Sequence, residues 1–182
     1  MIRARKRFGQ HFLEPAWQAK VVDACRVAPD DQLVEIGPGR GALTDRLTPR
    51  VARLLAFEVD RDLAGLLAAR QVPGLTVHTG DVLAEDVEGA LDAWLDAGPP
   101  DRRFRVVGNL PYNISSPILF MLSRWWRRHP GLVDAVVMLQ ADVADRLLAS
   151  PRTHEYGVLT ILTSLSAEVT RLLDLPPGAF RP

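Results

Sequence analysis

Gln32-Leu33-Val34-Glu35-Ile36-Gly37-Pro38-Gly39-Arg40-Gly41-Ala42-Leu43-Thr44 is the stretch that decides the fold. Residues 32–36 form a short, mostly apolar run that stops at a glycine, as a buried strand does. Glycines at 37, 39 and 41 let the backbone turn tightly and approach a ligand closely. Residues 42–51 then read as a helix. The glycine spacing is one residue short of the G-x-G-x-x-G dinucleotide pattern, and no Gly-Lys-Ser/Thr end follows, which argues against a triphosphate-binding loop.

The same unit repeats outward along the chain. Strands are expected at 53–59, 75–78, 104–108, 135–139 and 169–173, and helices at 60–70, 87–95, 117–128, 142–149 and 158–165. Asp60 can cap the first of these helices, and Gly98-Pro99-Pro100 breaks the chain ahead of the fourth strand. Short buried strands alternating with helices predict an α/β fold, a parallel sheet covered by helices on both faces. Ligands of such sheets bind beyond the carboxyl ends of the strands, so the informative residues should lie just after each strand.

The composition sets the class. The chain has 182 residues, 20.1 kDa, 47% hydrophobic and 24% charged, which suits one globular domain. No apolar run approaches the ~20 residues of a membrane span, and the basic start lacks the apolar stretch of a signal peptide. A cytoplasmic protein with no membrane partner is expected. The single cysteine, Cys25, excludes an internal disulfide, and the four histidines lack metal-ligand spacing, so no metal is expected. The formal net charge of zero hides segregation. Residues 1–20 hold five bases and one acid, residues 102–128 hold six arginines and no acid, and residues 71–101 hold seven acids and no base. Segregated arginine can neutralise phosphates, although Arg124, Arg127 and Arg128 also suit a solvated helix face.

The strand ends carry chemistry. Glu58, after the second strand, can accept hydrogen bonds from two ribose hydroxyls. Asp81, in Gly80-Asp81-Val82 after the third, can accept from an adenine amine. With the glycine turn they fit an adenosine, of NAD or of S-adenosylmethionine alike. The fourth strand end decides: Gly108-Asn109-Leu110-Pro111-Tyr112-Asn113-Ile114-Ser115-Ser116-Pro117. It suits methylation of an exocyclic base amine. The Asn109 side-chain oxygen and Leu110 carbonyl can accept from the amine's two N–H bonds and aim its lone pair. Pro111 fixes the turn, and Tyr112 offers a ring for stacking the base. A nicotinamide-dependent oxidoreductase would leave Asn109 to Tyr112 without a role.

These motifs, together with Arg5 to Leu13, Glu58 to Leu63, Leu139-Gln140, Glu155-Tyr156-Gly157 and Pro176 to Pro182, resemble the ribosomal RNA adenine N6-dimethyltransferases of the KsgA type. These are class I S-adenosylmethionine-dependent, Rossmann-like methyltransferases. The resemblance spans residues 1–182 as one methyltransferase domain, with a basic arm and helix over 1–30. It implies that His11, Leu13, Gly37, Gly39, Glu58, Asp81, Val82 and Asn109 bind the cofactor. It makes Asn109, Leu110, Pro111 and Tyr112 the catalytic turn, and has Tyr112 and Phe180 stack on the target adenine from its two sides. Arg3, Arg5, Lys6 and Arg7 would contact RNA. The implied reaction dimethylates two adjacent adenines in a hairpin loop near the 3′ end of 16S rRNA within the small ribosomal subunit, by a monomer.

Departures from the family pattern concern RNA. Ala141-Asp142 stands where the family has Lys-Glu, and Val158 where it has Arg. The family continues past Phe-x-Pro into a last antiparallel strand and a helical rRNA-gripping domain, so the chain reads as the catalytic part alone. Two other readings keep the scaffold: a 23S rRNA methyltransferase of the macrolide-resistance type, and a non-catalytic RNA-binding assembly factor.

Overall fold

Five parallel strands in the order β4-β3-β2-β5-β6 form the centre of the molecule. They are β2 (Gln32–Ile36), β3 (Arg53–Glu58), β4 (Leu75–Thr79), β5 (Phe104–Asn109) and β6 (Leu132–Met138). The structure, a computed structural model, describes residues 12–181. Every residue of β2 is buried, because β3 and β5 flank it and helices cover both faces. That explains its lack of polar alternation.

The two faces divide the side chains by strand parity. Val34, Ile36, Leu55 and Phe57 pack against α4 (Val87–Asp96) and α5 (Ser115–Arg128), through Leu91, Leu95, Ile118 and Trp125. Leu33, Leu54, Ala56 and Val107 pack against Val21, Val22 and Cys25 at the end of α1 (Pro15–Ala24), and against Leu43 and Leu47 around α2 (Thr44–Leu47). α3 (Arg61–Ala68) follows β3, and Asp60 caps it by accepting from the Asp62 N–H at 3.0 Å. α6 (Ala141–Leu147) and α7 (Val158–Ser164) complete the set.

Strand order reverses between β2 and β5, which run side by side with Ile36 opposite Gly108. Their approach leaves no room for a side chain there: a Cβ on Gly108 would lie 2.8 Å from the Ile36 carbonyl oxygen. The crevice above this reversal holds the site.

At the opposite, amino end of the sheet, charge is cancelled locally. Arg105 donates to Asp134 at 2.8 and 2.9 Å, to Asp31 at 2.8 Å and to the Cys25 carbonyl at 2.8 Å, tying α1, β5 and β6 together. Arg53 lies 3.9 Å over the Trp94 ring and donates to Gln32 at 2.6 Å.

Three expectations change. The helix foreseen over 42–51 is only α2 followed by a 3-10 turn at Thr48–Arg50, because Pro49 has no N–H to continue the ladder. β6 starts at Leu132 rather than 135. Residues 169–173 form no strand. A strand exists only through a partner. Here Val169 packs on Leu119, Val143 and Leu147, while a hollow of about 580 Å³ separates the segment from β6. One pairing was not foreseen: β1 (Phe12–Leu13) runs antiparallel to β7 (Phe180–Arg181). Among the described residues no helix is long and apolar enough to cross a membrane.

Candidate active site

The glycine turn sits on the carboxyl end of β2, pinned by the Gly37 N–H donating to the Phe57 carbonyl at 3.0 Å. Gly37 and Gly39 have φ of +68° and +58°, a region that only glycine enters cheaply. A Cβ at 37 would project into the gap toward the Asn109 carbonyl, 3.8 Å away. The turn therefore offers bare backbone to whatever lies between it and β5.

Glu58 ends β3, buried beneath this turn. Its two oxygens accept from the Gly39 N–H at 2.8 Å and the Asp60 N–H at 2.9 Å. Burial raises its pKa, against the pull of those N–H groups. The Val59 N–H also bonds to this carboxylate, and of its roughly four lone-pair sites some acceptor capacity remains for a ligand's hydroxyl. Asp81 is exposed and accepts from the Leu83 N–H at 2.9 Å, while Val82 beside it is buried.

Asn109 is the last residue of β5, paired with Met138 at the end of β6. The Leu110 N–H donates to the Met138 carbonyl at 3.2 Å, and the Ile114 N–H to the Pro111 carbonyl at 3.1 Å. The Asn-Leu-Pro-Tyr turn is thus fixed at both ends, between the sheet and the start of α5. Tyr112 is half-buried on this turn, and burial raises its pKa, so the phenol stays neutral.

One pocket takes in all of this: Leu13, Gly37, Gly39, Glu58, Asp81, Val82 and Asn109 to Tyr112 line it together. Its lining brings the bare backbone of the glycine turn, the acids Glu58 and Asp81, and the Tyr112 ring around one opening.

The sequence model of the family described as ribosomal RNA adenine dimethylase matches residues 1–182. The chain belongs to the ribosomal RNA adenine dimethylase family. Relatives include the ribosomal RNA small subunit methyltransferase A of Aromatoleum aromaticum, 46% identical over 99% of this chain and 64% of that protein. The same-named protein of Syntrophotalea carbinolica is 44% identical over the same shares. The chain thus spans about 64% of the length of these curated relatives. Among solved structures, a dimethyladenosine transferase from Plasmodium falciparum matches with TM-score 0.70 and 28% identity, covering 89% of this chain and 55% of that one. The 23S rRNA methyltransferase ErmE matches with TM-score 0.60 and 28% identity, covering 84% and 55%.

Most residues that the family pattern singles out meet in the pocket. Phe180 does not. Paired with Leu13, it packs on the α1-side core and lines the hollow beside β6. His11, Arg3, Arg5, Lys6 and Arg7 lie outside the described residues.

The arginines of 102–128 do not gather around the pocket. Arg102, Arg103 and Arg105 stand at the amino end of β5, and Arg124, Arg127 and Arg128 in the second half of α5, which runs about 20 Å away from the site. Arg102 pairs with Asp92 and Asp96, Arg105 with Asp31 and Asp134, and Arg128 with Glu88. These three arginines are each paired with an acid away from the pocket. Trp125 is buried in the core and Trp126 is exposed. Sequence reasoning missed Met138 and Glu35, both of which line the pocket. The acid inside the strand 32–36 was the available signal for Glu35.

Proposed function

We propose that the protein transfers methyl groups from S-adenosylmethionine to the N6 amines of two adjacent adenines in small-subunit rRNA, in a hairpin loop near the 3′ end. One observation carries the reading: the glycine turn and the Asn109–Tyr112 turn open into one pocket at the reversal of strand order. The names of the 44–46% identical relatives support the small-subunit target over the 23S target named for ErmE, at 28% identity.

The residues suit the cofactor. Glu58 keeps acceptor capacity for a ribose, Asp81 and Val82 flank the place of an adenine, and the glycine turn leaves room for a methionine tail beside Asn109. His11 and Leu13 would close the pocket from the other side. When bound, S-adenosylmethionine supplies an electrophilic methyl group on sulfur.

The chain's own part is positioning. An adenine amine is a weak nucleophile because its lone pair is delocalised into the ring. The Asn109 side chain and the Leu110 carbonyl accept its N–H bonds and turn the lone pair toward the methyl group. Pro111 offers no competing N–H, and Tyr112 stacks on the base. Holding donor and acceptor in line contributes much of the rate. No dedicated base is required, because the methylated ammonium on a conjugated ring is strongly acidic and loses its proton to water. Loop bases reach such a pocket at lower unstacking cost than duplex bases.

Calorimetry tests the cofactor assignment. S-adenosylmethionine should bind, and Glu58→Ala should weaken it by about 10–100-fold through the lost ribose hydrogen bonds. Equal affinity in both would remove that role for Glu58. Methyl incorporation into small-subunit particles, mapped by mass spectrometry, tests the target. Methylation confined to large-subunit rRNA would replace it. Cofactor binding without incorporation on either subunit would favour a non-catalytic RNA-binding role.

A further inference from the structure

Glu35 is a carboxylic residue where the fold would more cheaply hold an aliphatic one. It is 1% exposed, in the middle strand of the sheet, on the face that carries Leu33, Cys25, Leu43 and Leu47. Thr44 Oγ1 donates to Glu35 Oε2 at 2.7 Å, and the Thr44 backbone N–H also points at the carboxylate. The Thr44 carbonyl in turn accepts from Thr48 Oγ1 at 2.7 Å. α2 has no side-chain cap of its own at Leu43, so Glu35 satisfies its first N–H from the neighbouring strand.

The consequence lies in the chain order. Glu35 stands two residues before Gly37, and Thr44 is the first residue of α2. Their hydrogen bonds fasten the start and the end of the glycine turn to each other. Glu35 also lines the pocket beside Gly37, Gly39 and Glu58. The group that shapes the turn therefore feels the charge of whatever the turn holds.

Burial is the main force against Glu35 ionising, and two acids add to it: Glu58 from β3 and Asp45 from α2, the latter offset by its ion pair with Arg70, which also donates to the Arg40 carbonyl of the glycine turn. Cys25, at the end of α1, is a thiol that burial pushes up to about 11, so it stays neutral. Burial raises Glu35 to about 7, against the two Thr44 donors.

We propose that Glu35 is a positioning residue whose ionisation is coupled to cofactor binding. A ligand bearing positive charge at the glycine turn draws the carboxyl into its ionised form, tightens the Glu35–Thr44 clasp, and expels one proton to solvent. This rests on the S-adenosylmethionine reading, since that ligand is cationic at sulfur and at its amine. S-adenosylhomocysteine, which lacks the sulfonium, should couple less.

Calorimetry on the unmodified protein at pH 6.0 and pH 7.5, in two buffers of different ionisation enthalpy, reads the proton directly. S-adenosylmethionine should bind roughly eightfold more tightly at pH 7.5 than at pH 6.0, with close to one proton released at pH 6.0. S-adenosylhomocysteine should show a smaller ratio. Glu35→Gln should bind with little pH dependence, and Thr44→Val, which keeps the carboxyl but removes a donor, should move the transition to higher pH. Binding that is equal at both pH values overturns the proposal and leaves the cofactor assignment standing. A slope that survives Glu35→Gln overturns it too, and assigns the proton to Glu58. Absence of binding at both pH values removes the cofactor assignment and the proposal with it. Should Glu35→Gln fail to fold, infrared difference spectra of the unmodified protein at pH 6.0 decide. A protonated carboxyl band must vanish on adding S-adenosylmethionine, and a band that persists overturns the proposal.

Discussion

The two ends of the sheet treat charge in opposite ways. At the amino end, acids and arginines neutralise one another: Arg105 with Asp31 and Asp134, Arg102 with Asp92 and Asp96, Arg128 with Glu88. At the carboxyl end, the acids Glu35 and Glu58 are buried and held by N–H and O–H donors rather than by cations. Donors of that kind stabilise a carboxylate but leave part of its lone-pair capacity and all of its charge. The amino end is therefore built to hold the sheet together. The carboxyl end keeps acceptor capacity for a ligand, and burial raises the pKa of both acids there. Perturbed acids in a cleft mark functional sites for this reason.

The sharpest way to break this contrast is at Asn109. Asn109→Ala should lower methyl transfer by about 10²–10³-fold in single-turnover measurements, while cofactor affinity stays nearly unchanged. It deletes a partner felt mainly in the transition state. Near-normal rates would show that the pocket's polar turn does not aim the amine.

The next effect is one of pH. Glu35 ionises near 7 in the folded chain but near 4.3 when unfolded, so the folded state holds its proton more tightly. Its contribution to stability is full below about pH 4 and falls as pH rises to about 7, by about 4 kcal/mol in all. Denaturation curves of the ligand-free protein against those of Glu35→Gln should differ by that slope. Parallel curves would place Glu35 among ordinary acids.

At the amino end, Arg105→Ala should cost about 2–3 kcal/mol in denaturant melts, because Asp31 and Asp134 lose a mostly buried partner. Cofactor affinity in the folded fraction should not move. A loss of affinity instead would couple the two ends and undo the division between them.

The smallest effect should come from Arg128→Ala. Its pair with Glu88 is exposed, and surface pairs contribute about 0.5 kcal/mol or less. RNA binding should also be insensitive, since Arg128 lies at the far end of α5 from the pocket. A clear drop in RNA affinity would extend the RNA path to this end of the sheet.

The sequence by itself determined the parallel sheet, the glycine turn, and the acids and the Asn-Leu-Pro-Tyr turn that follow the strands. Those signals are local: an apolar run of strand length, a glycine where φ must be positive, a polar residue one step past a strand. The family pattern added roles that strand order then joined in one pocket, because β2 and β5 lie side by side although some 70 residues apart. Three features were decided only by tertiary structure. Residues 169–173 have the composition of a strand, but a strand needs a partner at hydrogen-bonding distance, and β6 is across a hollow. Phe180 has an aromatic ring suited to stacking, but its place, paired with Leu13 and packed on the α1-side core, is set by strand pairing. Glu35 reads as one acid within an apolar strand, and its importance comes from burial beside Thr44, which brings together two residues on either side of the turn. Local periodicity reports which way a chain runs and folds back. It does not report which charges end up facing each other, because that depends on packing between segments distant in sequence.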